Sequence, residues 1–260
     1  VPADVSGRTM GVYNGISRLG SVTGLFGGAL LVDLVGFSAA LFAIACASLL
    51  AIPMGLKARL PDRPLPSGQS TKGFMVTTDA RIYAVIGFAL GAVGPGLVAA
   101  TLGAVLADRL GVTVSAVSAA TLTGAILAVR YVLDSLAAPW LGGLSDRYGV
   151  RTSVVAFTSF GGMALLVAAG VDNVYLVAIL TILFFGAGTA LQAGVTGAVS
   201  QHGSGPFRNF NTSMDFGAAS GPLVGWWLLD ALGFDAAGIA LGGGMYLMLA
   251  LFVAVARSRL

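Results

Sequence analysis

Glutamate is absent from the sequence, and cysteine and histidine occur once each, as Cys46 and His202. A disulfide needs two thiols, and a metal centre needs several Cys, His or acidic ligands. Neither can be assembled here, and no metal or other cofactor is expected. Charge is equally scarce. The 14 Lys and Arg and the 11 acids, all aspartate, make up 10% of the residues and leave a formal net charge of +3. That excess is too small for a nucleic-acid surface. No G-x-x-x-x-G-K-[ST] loop occurs, which removes ATP hydrolysis as an energy source within the chain. The G-x-G-x-x-A stretch from Gly94 to Ala99 has no strand before it and is not a dinucleotide fingerprint. A polytopic membrane enzyme would need a His, Glu or Cys constellation near an interface, so no enzyme is expected. What the sequence has in quantity is apolar: 57% of its 260 residues are hydrophobic and 38 are glycine, with a mean hydropathy of +0.91. A water-soluble globule is excluded, and the lipid bilayer is the expected partner.

Crossing the ~30 Å hydrocarbon layer takes about 20 mostly apolar residues as helix, which satisfies its own backbone where no water is present. Eight runs meet this requirement: 10–32, 37–57, 82–108, 115–142, 152–171, 173–199, 207–230 and 236–256. Between the second and third, Pro61, Pro64, Pro66, Ser67 and Gly68 lie among scattered charges and mark an exposed linker. The expected division is therefore two helices in 1–57, a linker in 58–81 and six helices in 82–260. Cytoplasmic loops retain Lys and Arg. Eleven of the 14 fall on the linker side and only Arg109 on the other, with Arg18 and Arg130 inside spans. Both chain ends and the linker are then cytoplasmic, and Asp33, Asp108, Asp172, Asp230 and Asp235 lie toward the outside.

One internal repeat stands out. Gly20, Gly24, Gly28, Leu31, Asp33, Gly36 and Phe37 recur 197 positions later as Gly217, Gly221, Gly225, Leu228, Asp230, Gly233 and Phe234. The first span thus corresponds to the seventh. Four spans precede the seventh within its unit and none precedes the first. The expectation is the later part of a twelve-helix protein, with the missing N-terminal helices as partner. The start at Val1, with neither an initiating methionine nor a signal peptide, fits a partial chain.

At the cytoplasmic end of the fourth span stands GGLSDRYGVR, with Gly142, Asp146, Arg147, Gly149 and Arg151 in the order G-x-x-x-D-R-x-G-x-R. The glycines permit close approach and a tight turn, and Asp146 can accept from exposed helix N–H groups or from Arg. A plain positive-inside turn with a capping Asp would look the same. The loop resembles the signature loop of the major facilitator superfamily, departing at Val150, and with the repeat and the linker the resemblance covers the whole chain. It implies a conformational gate in which the Asp146 carboxylate lies beside the start of the first span, at residues 6–10. Gly11, Gly20, Gly24 and Gly28 are spaced like the glycine motif of the family's antiporters, with Leu25 in place of its proline and Ala29 in place of its last glycine. The seventh span supplies Gly221 and Pro222. Glycines four apart serve helix packing equally well. Gly20, Gly24, Gly28, Gly221 and Pro222 are expected as hinge or packing positions. So is Pro95, which should kink the third span at mid-depth by removing a backbone bond.

Ionisable groups inside spans are costly and mark function. Arg18, Arg130, Asp134 and Asp215 qualify. Asn14 shares a helix face with Arg18, and Asn211 shares one with Asp215. Gln192 lies in a polar stripe with Thr189, Thr196 and Ser200, where it either bonds a neighbouring helix or meets solute. Arg130 precedes Asp134 by four, the less favourable order for a pair along one helix. Arg18, at similar depth, is the expected partner of Asp134, and a static ion-paired bundle is the alternative. The second, fifth and eighth spans carry no interior charge and suit lipid-facing positions.

The fold expected is all-α: a polytopic membrane helix bundle of eight transmembrane helices, part of a twelve-helix major facilitator fold in a bacterial inner membrane. The resemblance implies secondary active transport of a small solute by alternating access, with proton-coupled efflux of a drug or metabolite as the leading form. Asn14, Arg18, Arg130, Asp134, Gln192, Asn211 and Asp215 would form the solute and proton pathway. A symporter or uniporter of the same fold, or a non-transporting accessory protein, are the alternatives.

Overall fold

In the computed structural model, which describes residues 20–49, 52–53, 78–111, 116–136, 144–145, 147–201, 204–233 and 236–256, no strand occurs among the described residues. Helix α1 is Gly20–Val35 and α2 is Phe37–Leu49. Then α3 (Thr78–Gly91), a π-helix (Ala92–Val98) and α4 (Ala99–Leu110) follow one another without a break. The remainder are α5 (Ala116–Leu136), α6 (Val150–Gly170), α7 (Val174–Gln201), α8 (Ser204–Leu232) and α9 (Ala237–Val255). Five stretches among the described residues are long and apolar enough to cross a membrane: Arg81–Leu110, Ala119–Leu136, Val150–Gly170, Val174–Gln201 and Ala237–Val255. They correspond to the third, fourth, fifth, sixth and eighth expected spans. The described residues of α1 and α2 are apolar and make up shorter stretches. Helix α8 has the length, and Arg208, Asn209, Asn211 and Asp215 make it more polar than the rest. The chain is an all-α integral membrane protein. Its third helix starts at Thr78, inside the stretch expected as linker.

The repeat has a backbone counterpart. Gly36 and Gly233 both adopt positive φ, +84° and +60°. Each N–H donates to the carbonyl four residues back, Val32 at 2.9 Å and Leu229 at 3.0 Å. The shared Asp-x-x-Gly is a helix ending, closed by a residue type that enters the left-handed region without strain. At the other kind of terminus, Asn173 Oδ1 accepts from the N–H groups of Tyr175 and Leu176 at 3.0 and 3.1 Å, which starts α7.

Glycine explains the tightest packing, between the α3–π segment and α8. A Cβ on Gly221 would stand 2.5 Å from the Gly96 Cα, and one on Gly87 would stand 2.6 Å from the Phe210 carbonyl oxygen. Added carbons on Gly91 and Gly217 would run into the Met214 and Phe88 carbonyls. Small residues here let two backbones touch. The seam positions 87, 91 and 96 are spaced by four and then five. Five residues of α-helix turn the chain ~500°, about 140° past the starting face. The wider turns of the π-helix bring Gly96 back onto the seam, and the bond from the Ala99 N–H to the Gly94 carbonyl is one of its i to i+5 links. Pro95 sits inside this segment. It has no N–H to give to an α-helical ladder, and its ring crowds the carbonyl four residues back, so a widened turn accommodates it.

Helices α6 and α9 meet through Gly162 and Gly243, where an added Cβ on either would stand 2.9 Å from the other's carbonyl oxygen. Their outward faces carry Phe160, Met163, Met248 and Leu251, all more than half exposed. Apolar side chains presented outward suit lipid. The other side of α9 lies against Val93 and Thr101 through Gly242 and Gly238.

Candidate functional site

A cavity of about 250 Å³ opens between α3 and its π-helix, α5, α7, α8 and α9. Pro95, Arg130, Asp134, Gln192 and Asp215 all line it, so five residues nominated from four spans share one space. The π-helix contributes to this placement: as Gly96 turns onto the α8 seam, Gly94 and Pro95 are left on the cavity wall. Phe184, Phe185 and Tyr246 supply an aromatic side.

Asp134 is held from a second helix. The Thr189 hydroxyl, on α7, donates to Asp134 Oδ1 at 2.5 Å and also lies 3.0 Å from the Phe185 carbonyl. Thr189 is buried, so this bond is shielded from solvent. Arg130, one turn earlier on α5, makes no ion pair with Asp134. Its guanidinium lies 4.7 Å from the Phe185 ring centroid and 5.4 Å from that of Tyr131, a cation over two aromatic faces. Asn211 is half-buried on α8, one turn before Asp215, and is not part of the cavity lining. Asn14 and Arg18, the expected partner of Asp134, lie outside the described residues. Sequence reasoning placed Thr189 on a polar stripe without assigning it a partner, and it gave Phe185 no role.

Of the loop motif, Gly142 and Asp146 lie outside the described residues, as do residues 6–10. The rest forms a junction. Ser145 is buried against Gly194 of α7, where a Cβ would collide with the serine side chain. Gly149, at φ +83°, donates its N–H to the Ser145 carbonyl at 3.0 Å and accepts from Ser153 at 3.1 Å, turning the chain into α6. Arg147 is exposed, its guanidinium 5.5 Å from the Tyr148 ring centroid. Arg151 Nη2 donates to the Ala254 carbonyl at 2.7 Å, in the last turn of α9. A cation there meets the negative end of the helix dipole. Arg151→Gln is expected to lower stability by about 0.3 to 1 kcal/mol, read as a small drop in melting temperature, with Arg151→Lys between it and the parent.

At the other end of the bundle, Arg109 pairs with Asp108 at 2.8 Å and Asp172 at 3.4 Å, and donates to the Ala169 carbonyl near the end of α6 at 3.3 Å. These three ionisable residues were all expected on one membrane face. Asp33 accepts a hydrogen bond from Thr121, which ties α1 to α5. Close by, a Cβ on Gly124 would stand 2.5 Å from that of Ala29 and 3.0 Å from the Leu25 carbonyl oxygen. Gly28 touches Ile44, whereas Gly20 and Gly24 have no described neighbour within 4 Å of an added Cβ. Their repeat equivalents Gly217 and Gly221 sit in the α3 seam, with Pro222 next to them inside α8.

No family model matches the sequence. Over 122 residues, 45% of this chain, it is 33% identical to Multidrug resistance protein MdtG of Dickeya zeae (strain Ech586). The matched stretch spans 30% of that relative's length.

Proposed function

We infer that this chain belongs to the major facilitator superfamily and is part of a secondary active transporter that moves a small solute out of the cell in exchange for protons by alternating access. The relative's name, a multidrug resistance protein, supports drug efflux as the form this takes. In this reading residues 1–57 close the N-terminal half, 58–81 link the halves on the cytoplasmic side, and 82–260 form the C-terminal half. Both ends of the chain lie in the cytoplasm of a bacterium, and the protein resides in its inner membrane. Residues 142–151 gate the cytoplasmic side.

The observation that carries the proposal is Asp134, a carboxylate lining a membrane cavity that accepts a hydrogen bond from a hydroxyl of another helix. A hydroxyl can donate to the ionised carboxylate and accept from the protonated acid, so Thr189 serves both states of a proton carrier. Solute and proton then use the same cavity in turn, and each side of the membrane sees one or the other.

Asp134→Asn separates the steps. Solute-for-solute exchange needs no change of protonation, while proton-driven movement does. In vesicles holding the full-length protein, the variant should keep exchange and lose proton-driven transport to the level of empty vesicles. Undiminished driven transport would remove Asp134 from the proton path.

A further inference from the structure

Two opposite charges in the cavity stand apart. Arg130 and Asp215 both line it, yet among the described residues neither forms an ion pair. Arg130 comes from α5, which packs on α4 and α7. Asp215 comes from α8, which packs on α3 and the π-helix, and α5 and α8 share no packed seam. The charges therefore face the cavity from separate walls, with Phe184, Phe185 and Tyr246 also on its lining. Lone charges in a membrane interior call for partners. Asp134 is engaged by Thr189, so Arg130 and Asp215 present one positive and one negative charge to an occupant.

Resting on the transporter reading above, we propose that the cavity selects a dipolar solute: an anionic group on Arg130, a cationic group at Asp215, and an apolar or aromatic body against Phe185 and Tyr246. The guanidinium of Arg130 lies over the Phe185 ring, which leaves its N–H edge for a carboxylate or similar anion. A solute carrying only one of the two charges leaves the other residue uncompensated, and the cavity discriminates on that basis.

The test is equilibrium binding to the purified full-length protein, by calorimetry, of three probes with one body. These are phenylalanyl-glycine, its cationic methyl ester and its anionic N-acetyl derivative. The parent should bind the zwitterion about tenfold tighter than either singly charged form. Arg130→Gln should lose the preference for the zwitterion over the ester while still binding the ester. Asp215→Asn should lose the preference for the zwitterion over the N-acetyl form. Arg130→Lys, which keeps the charge, should retain part of the first preference and also serves if Arg130→Gln does not fold. Equal binding of all three probes by the parent, binding of none, or equal weakening of ester and zwitterion in a folded Arg130 variant overturns the proposal. No gradient is involved, so failed proton coupling leaves these results standing. Lost charge preference likewise leaves the transport reading intact.

Discussion

Gly221→Leu should abolish the folded bundle or cost it about 3 kcal/mol or more, because the new side chain meets backbone and not the flexible end of another side chain. The Gly96 Cα stands 2.5 Å from the Cβ position and the Ala92 carbonyl oxygen 2.6 Å. Relief requires separating α8 from α3 and the π-helix along their whole seam, since Gly87, Gly91 and Gly217 are in similar contact. Gly197→Ala is the contrasting case. Gly197 is exposed near the C-terminal end of α7, with no described neighbour within 4 Å of an added Cβ. Alanine there should stabilise by roughly 0.5 to 1 kcal/mol through backbone entropy. Expression yield and thermal melting of the detergent-solubilised protein read both effects. Co-melting of Gly221→Leu with the parent would mean that the helices are not seated backbone on backbone.

Deleting Pro95 should have the opposite profile, with fold retained and transport lost. The deletion changes the seam spacing from four and five to four and four, which a continuous α-helix accommodates with Gly96 still facing α8. The π-helix and the proline on the cavity wall disappear together. Transport should fall on the order of tenfold or more, since small displacements of groups around a reacting or binding centre have effects of that size, while melting stays close to the parent. Pro95→Ala keeps the residue count and the five-residue spacing, so it should retain more activity than the deletion. A deletion variant that transports like the parent would deny the π-helix any role beyond packing.

The helices were legible because an apolar run of membrane length is a coarse signal that survives errors at its ends. Gly36 and Gly233 were legible as equivalent, and the structure adds the reason: both close a helix in the left-handed region. The four-then-five spacing of Gly87, Gly91 and Gly96 was present in the sequence, but its meaning depends on which helix faces them, and a single sequence does not pair helices. The same limit applies to the site. Arg130, Asp134 and Asp215 announced themselves as charges inside spans, and Gln192 as a member of a polar stripe. That Thr189 of that stripe meets Asp134, and that Arg130 rests on Phe185, follows from the rotation of α7 against α5. Helix period alone does not set that rotation. Helix α8 was the weakest span by composition, because one face packs through glycine while others carry Asn211, Asp215 and Ser220.

Purified full-length protein in liposomes loaded with a pH-sensitive dye decides the transport account. A gradient of a drug that the vesicles take up should drive protons the opposite way in the parent, and the dye signal should vanish in Asp134→Asn while drug exchange persists. Drug movement with no accompanying change in internal pH, or a proton signal that survives Asp134→Asn, would contradict it.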